Sequence, residues 1–400
     1  MDFKSKWVES IDKINREDWD SVFCNSKILK SYNFAQAIEK SCLQNFQLYY
    51  MLVADKSTIV SIVPCFIYSV EIETLSGNIL KELVSRIRKI HPKFLMARIL
   101  GVGSPVATCE NHIGFISNIS KYQQELLGNF VMNELLIFSE KKKTDLIIVK
   151  EIPENEINCF KEIFKESFDF YESLPNSFIP TSGVFKPYPN ALRKKYRQRF
   201  YNALKESDKE MIEWEIVRDF SLLSNNIYEL YMNVYQKSKY KFEKLNADFF
   251  KNVNEFLPEN SFVLVAKNSD NIFLAIELVL EEEDCLIPLY LGLNYQYTDN
   301  TKTYQNVIFR SLIEAQKVNK KYVVLGQTSY VPKSYSGCIF EKLYLGVYFK
   351  RNFFNIILKL LFPYLFPVFE NPCGKFYTPY KDSKKEDLNA FMKSINRIHI

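Results

Sequence analysis

The stretch from Leu286 to Gly337 constrains the fold of this 400-residue chain more than any other. Leu286-Ile-Pro-Leu-Tyr-Leu-Gly-Leu-Asn-Tyr295 is short, apolar and bounded by polar residues, the pattern of a mostly buried strand. Thr301 or Thr303 is positioned to cap the next element, a helix with Tyr304, Ile308, Leu312, Ala315 and Val318 along one face. After a short Asn-Lys-Lys turn, Tyr322-Val-Val-Leu-Gly326 reads as a second buried strand. Strand, helix and strand of these lengths imply a right-handed crossover between parallel strands. The helix N-terminus then lies at the carboxyl end of the first strand, a corner suited to anions and small ligands. Gln327-Thr-Ser-Tyr-Val-Pro-Lys333-Ser-Tyr-Ser-Gly337 adds hydroxyls, an amide and an amine at the same end.

The rest of the chain alternates in the same way. Trp7 to Phe23 reads as a strand edge passing into a short helix, and Ser31 caps a helix to Ser41. Strands at Leu48–Ala54 and Ile59–Tyr68 flank an Asp55-Lys-Ser turn. An amphipathic helix over Leu75–Ile90 follows, closed by His91-Pro92. Leu95–Val102 is a strand leading into the Gly103-Ser-Pro105 turn, Lys121–Lys143 a long helix, and Asp145–Lys150 a strand. Helices at Leu222–Lys237 and Ala247–Phe256, strands at Phe262–Ala266 and Ile272–Glu281, and a final strand at Leu343–Phe349 complete the second half. Both halves run paired helices, an antiparallel strand pair, then strand–helix–strand, without a visible sequence repeat. Two domains of one fold, 1–185 and 186–350, are expected, with an apolar helix and polar tail over 351–400. Pro175, Pro180, Pro187 and Pro189 mark a linker between them, followed by a strongly basic helix over Asn190–Lys205.

Composition narrows the classes. The chain is 47% hydrophobic and 25% charged, which is globular, and its net charge of +5 admits anionic ligands without demanding nucleic acid. Only 11 glycines are present, few for glycine-rich nucleotide loops. Eight cysteines lack metal-ligand spacing and read as free thiols in a reducing cytoplasm. With three histidines, no His-rich metal site is expected. No run is long enough for a transmembrane helix, and no signal peptide precedes Met1-Asp-Phe-Lys. Phe353–Phe369 comes nearest, interrupted by Lys359, Pro363 and Pro367; it reads as a packing segment, with peripheral membrane contact as its functional alternative.

Leu192-Arg-Lys-Lys-Tyr-Arg-Gln-Arg, the helices and strands after it, and Gly326-Gln-Thr-Ser-Tyr-Val-Pro-Lys333-Ser-Tyr-Ser-Gly337-Cys resemble the GNAT-superfamily acyltransferases related to FemAB. The nearest group is described as BioF-like or CelD-like, and the resemblance covers roughly residues 186 to 350. It implies an α/β protein of two tandem GNAT-like domains, each a mixed central sheet flanked by helices. It also implies N-acyl transfer, from acetyl-CoA or another acyl-CoA, to an amine on a small molecule or a cell-envelope or polysaccharide precursor. In GNAT domains a glycine-containing loop wraps the coenzyme A pyrophosphate; here Gln-Tyr-Thr-Asp-Asn-Thr-Lys-Thr, between Tyr295 and Tyr304, has none. FemAB relatives also lack that loop and take aminoacyl-tRNA, which makes tRNA the alternative donor. A non-catalytic GNAT-like binding protein is the third reading.

Individual residues follow from this frame. Tyr330 is the candidate general acid and Lys333 the oxyanion or carboxylate partner. Glu277, a lone acid in an apolar strand, is the candidate base; the bland alternative is an outward-facing position. Tyr290, Asn294, Lys302, Thr303 and Tyr304 would border the donor, although for Tyr290 a core aromatic with a bonded hydroxyl is the favoured reading. Arg193 and Arg197, with Lys194, Lys195 and Arg199, would neutralise phosphates of coenzyme A, tRNA or a lipid-linked precursor, or form a solvated face. Gln327 and Thr328 would contact the acceptor. Cys338 is structural, because no histidine is placed beside it.

Overall fold

The computed structural model describes residues 2–23, 27–71, 96–117, 119–164, 168–181, 187–238 and 241–350, together with 356, 359–360, 369–372 and 380. The expected Leu75–Ile90 helix and most of Phe353–Phe369 lie outside these residues. Ile356 and Leu360 are exposed, whereas the Phe369 ring meets Tyr330 edge-on at 4.7 Å.

Two mixed sheets form the frame. The first is built from β1 (Phe3–Val8), β2 (Gln47–Asp55), β3 (Thr58–Glu71), β4 (Met96–Val102), β5 (Gly114–Phe115), β6 (Leu146–Pro153), β7 (Asp169–Glu172) and a strand from the far end of the chain. Its helices are α1 (Arg16–Phe23), α2 (Tyr32–Lys40), α3 (Lys121–Lys142) and α4 (Ile157–Phe164). Ser31 caps α2 by accepting from the Phe34 amide, and a capping box at Ser120 and Gln123 starts α3. The second sheet contains β8 (Asn176–Pro180), β9 (Glu213–Val217), β10 (Ser261–Lys267), β11 (Phe273–Glu281), β12 (Cys285–Leu293), β13 (Tyr322–Val324) and β14 (Ile339–Glu341). Helices α5 (Lys194–Lys209), α6 (Ser224–Lys237), α7 (Ala247–Phe256), α8 (Thr298–Thr301), α9 (Thr303–Lys317) and α10 (Tyr330–Tyr335) flank it.

The crossover expected at Leu286–Gly326 is present. β12 and β13 run parallel, and Ile308, Leu312 and Ala315 of α9 pack beneath them. Its details differ from the expectation in two places. Neither threonine caps α9: Lys302, left-handed at φ 47°, occupies the N-cap, and the Thr301 and Thr303 hydroxyls bond to each other instead. Val318 leaves the apolar face because the helix has already ended at Lys317.

Strand exchange is the larger correction. The proline-marked segment is not simply a linker, since Asn176–Pro180 is buried throughout and pairs with both β13 and β14. Conversely β15 (Leu343–Phe349), expected with the second half, pairs antiparallel with β6 and β7 of the first sheet. Each sheet thus holds a strand from the other half of the sequence.

One apolar core also spans the halves. Ile28, Leu29, Phe34, Ile38, Leu43 and Val106 from the first half pack with Phe249, Phe250, Val253, Ile276 and Leu278 from the second. Polar ties reinforce it: Asn246 Nδ2 donates to Ser41 O (2.7 Å), and Ile28 N donates to Glu282 Oε1 (3.0 Å). Against this core α6 sits directly on β12 at Gly292, where a Cβ would fall 2.7 Å from backbone atoms of Leu230 and Tyr231.

A shared core predicts joint unfolding. Trp7 and Trp19 report on the first half and Trp214 on the second, so guanidinium transitions read by fluorescence and by far-UV circular dichroism should coincide. Phe249→Ala should move both together, lowering stability by roughly 3–5 kcal/mol; two separated transitions would contradict the shared core.

Candidate active site

The site follows from how β12 and β13 part. Their parallel pairing is limited to Cys285 with Tyr322 and Leu286 with Val323. β12 then continues to Leu293, bulged at Leu289, because Leu278 pairs with Tyr290 and Val279 with Pro288. β13 ends at Val324 and passes into a turn with three left-handed residues, Gly326 (φ 66°), Thr328 (φ 63°) and Ser329 (φ 50°). A threonine in this region is strained, and such residues gather at functional sites.

Most residues predicted for catalysis hold this corner together. Lys333 is buried, and its ammonium donates to the carbonyls of Leu325 (2.6 Å), Gly326 (3.1 Å) and Gln327 (2.8 Å). All three of its protons are thereby engaged. Burial draws its pKa down to about 8. Gln327 Nε2 donates to Leu174 O (2.7 Å) and Tyr330 Oη to Pro175 O (2.9 Å), stitching the turn to the segment that enters β8. Thr328 is half-buried beside them.

Glu277 points inward rather than outward, under α9. Ser311 Oγ donates to its Oε2 (2.6 Å), and burial raises its pKa to about 7. Tyr304 shares this interior and bonds with Ser329 through its hydroxyl, while burial pushes its phenol up. The sequence-predicted Glu277, Tyr304 and Lys333 are therefore gathered in one desolvated cluster.

The expected donor-binding residues are more scattered. Tyr290 meets Tyr231 and Phe249 edge-on, and its hydroxyl donates to Glu243 Oε1 (2.7 Å). Asn294 Nδ2 donates to Phe273 O (3.3 Å), Lys302 is exposed and Thr303 is buried. Asn306, which sequence reasoning passed over, donates from Nδ2 to Ala203 O (2.9 Å) and leaves Oδ1 buried without a partner; buried Thr298 Oγ1 is unpartnered too. α5, whose Ala203 meets Asn306 of α9, carries Arg193, Lys194, Lys195, Arg197 and Arg199 at its start, with no acid in the first turn. Lys194 and Lys195 are exposed, Arg197 donates to Leu192 O (3.2 Å), and Arg199 stacks 3.8 Å from the Tyr335 ring. Cations at a helix N-terminus oppose its dipole, so this arrangement costs local stability.

Acids at the junction of the halves also escaped sequence reasoning. A cavity of about 30 Å³, room for a water or two, is bordered by Lys30, Glu110, Glu156, Asn176 and Glu341. Burial lifts Glu156 and Glu341 to about 7, and Lys30 lies 3.7 Å from Glu110. A second groove, about 420 Å³, runs by Phe46, Gln47, Ser69 and Arg98. Isolated acids in loops read as solvated, and nothing local announces the partner that buries them. Among the described residues, no group of three or more His, Cys, Asp and Glu is arranged to hold a metal ion.

No protein-family model matches the chain, and no curated protein matches it. Solved structures do. FemX superposes with a TM-score of 0.54 at 10% identity, covering 89% of this chain and 99% of FemX. L-PGS from Bacillus licheniformis gives 0.48 at 9% identity over 84% and 97% of the two chains. A tandem GNAT protein from the clavulanic acid biosynthesis pathway gives 0.47 at 6% identity over 86% and 98%. Of these three, FemX alone exceeds 0.5, and at this identity it speaks to the fold alone. The mixed sheets flanked by helices expected from the sequence are present, in a fold that this chain shares with FemX.

The buried cluster sets a pH dependence. Because the folded pKa of Glu277 lies above the free value of 4.5, its contribution is complete below pH 4.5 and is lost as pH rises through about 7. Glu156 and Glu341 act with the same sign, so the test is a difference. Urea stability of Glu277→Gln should fall less than wild type between pH 4.5 and 8, by a few kcal/mol; parallel curves would contradict the desolvated carboxyl. Lys333→Met should cost roughly 3 kcal/mol by orphaning three carbonyls.

Proposed function

We propose that this chain is a FemAB-like acyltransferase that moves an aminoacyl group from charged tRNA to an amine on a small molecule or a cell-envelope precursor. The observation that carries this reading is the row of cations at the start of α5, set against the helix dipole, where Arg199 stacks on Tyr335 of α10. A charge arrangement that costs stability suits a polyanionic donor. The likeness to the FemX fold supports the same class.

A coenzyme A thioester fits less well. The segment after β12 has no glycine, is filled by α8, and turns through left-handed Lys302. Among the described residues, the unpartnered buried atoms at its turn are the Asn306 carbonyl oxygen and the Thr298 hydroxyl, with Arg310 Nε one turn further along α9. Three backbone carbonyls around Nδ2 keep the Asn306 amide in this orientation. A pyrophosphate needs convergent donors there, not a carbonyl oxygen.

Transfer in this reading is direct. The α5 cations hold the donor's phosphates, and Lys333, Gln327 and Tyr330 act by keeping the β13–α10 turn in place. Glu277 is sealed beneath α9, so it tunes the cluster and does not touch the acceptor. A non-catalytic binding role is favoured by one observation: Tyr290, Asn294 and Lys302 border neither the 30 Å³ cavity by Glu156 nor the 420 Å³ groove by Phe46.

Binding distinguishes the donors. Charged total tRNA should bind with strong salt dependence, and Lys194→Glu/Lys195→Glu should weaken it at least about tenfold while reducing the log–log salt slope by about 2. Calorimetric titration with acetyl-CoA and with desulfo-CoA should show no saturable site. Saturable one-site binding of both would return the donor to coenzyme A, and tRNA binding without aminoacyl transfer would favour the non-catalytic role.

A further inference from the structure

Glu243 lies on the loop between α6 and α7, where the second half meets the first. Its position is over-determined. Tyr290, on the part of β12 beyond the last pair with β13, donates to its Oε1 at 2.7 Å. Tyr231 of α6 pins the loop on both sides, donating to Glu243 O (3.4 Å) and accepting from Leu245 N (3.3 Å). From the first half comes Lys150 of β6, whose ammonium donates to Ser104 O (2.8 Å) and lies 4.7 Å from the Phe242 ring.

Glu243 differs from Glu277 and Glu151 in being held and yet left partly exposed. Glu277 is sealed, and Glu151 is spent on Thr108 and Cys109, whose amides and hydroxyl it accepts. Glu243 remains half-buried at the junction. The groups facing it are Tyr290 from β12, Tyr231 and Tyr235 from α6, and Lys150 and Glu151 from β6. Burial dominates and raises its carboxyl above the ordinary range, while Lys150 and the Tyr290 hydrogen bond pull it back. A raised carboxylate is a better proton acceptor at neutral pH.

We propose that Glu243 is the general base for the acceptor amine, with Tyr290 as the positioning residue that aims its carboxylate. The assignment rests on the acyl-transfer reading above. The acceptor enters as an ammonium and gives one proton to Glu243. The neutral nitrogen attacks the ester carbonyl carbon, forming the new C–N bond. As the tetrahedral adduct collapses, the C–O bond to the tRNA ribose breaks, and the second nitrogen proton goes to the departing oxygen. Glu243 releases its proton to solvent, so the reaction balances as ammonium plus ester giving amide, alcohol and a proton.

The test compares two nucleophiles, ethanolamine, which must lose a proton, and hydroxylamine, which is already uncharged near neutral pH. Labelled aminoacyl groups on total tRNA serve as donor, with acetyl-CoA in parallel. Glutamine keeps an acceptor for Tyr290, so Glu243→Gln should fold normally by thermal melt. Its transfer to ethanolamine should fall about 10²- to 10⁴-fold, and its transfer to hydroxylamine less than about tenfold. Tyr290→Phe should shift the acidic limb of the kcat profile to higher pH. Unchanged ethanolamine transfer in Glu243→Gln, equal loss with both nucleophiles, or a wild type that uses hydroxylamine alone would overturn the base while leaving acyl transfer standing. A wild type that acylates neither amine from either donor would overturn the acyl-transfer reading itself, and the base with it.

Discussion

The rest of the structure depends on the burial of α2 and the Ile28–Leu43 region against α7 and the second sheet. Phe34, Ala37, Ile38, Phe249, Phe250 and Val253 are all nearly inaccessible in one cluster, so the junction has the character of a domain interior. Exchange of β8 and β15 between the sheets adds main-chain hydrogen bonds that neither half can replace alone. Geometry at the junction is consequently stiff, and side chains from the two halves can be aimed at one another within ångströms.

Burial at the junction leaves several titratable groups desolvated. Glu156 and Glu341 are raised to about 7 and His112 is lowered to about 3, each chiefly by burial. A mobile interface would let water in and restore ordinary values. Here the cost is tolerated because partners are fixed: Asn111 for Glu156, Asn176 for Glu341, and one main-chain carbonyl, of Glu110 or of Leu29, for the single N–H of neutral His112. Lys333 illustrates the same principle in reverse. A buried ammonium persists because three carbonyls at the end of β13 surround it, and in return it holds a strained turn.

Much of the fold was legible because it is local. Period-two and 3.6-residue patterns placed β2, β3, β10, β11, α3, α6, α7 and the β12–α9–β13 crossover within a few residues, and the cap residue Ser31 marked the start of α2. The site was only partly legible. Glu277, Tyr304 and Lys333 do gather, since strand and helix periodicity carries their neighbours to one face. Their roles did not follow, because a polar loop residue reads the same whether it faces a ligand or, like Gln327 and Tyr330, a backbone carbonyl across the fold.

What the sequence alone determined is therefore the order of elements, the FemAB-related fold class and the basic start of α5, all carried by residues close together in the chain. Only the tertiary structure decided the exchange of β8 and β15, the inward turn of Glu277, the engagement of Lys333 and the meeting of Glu243 with Tyr290 and Lys150. Those outcomes depend on contacts between residues tens to hundreds of positions apart. Local periodicity determines which face a side chain takes; it carries no information about what the rest of the chain will press against that face.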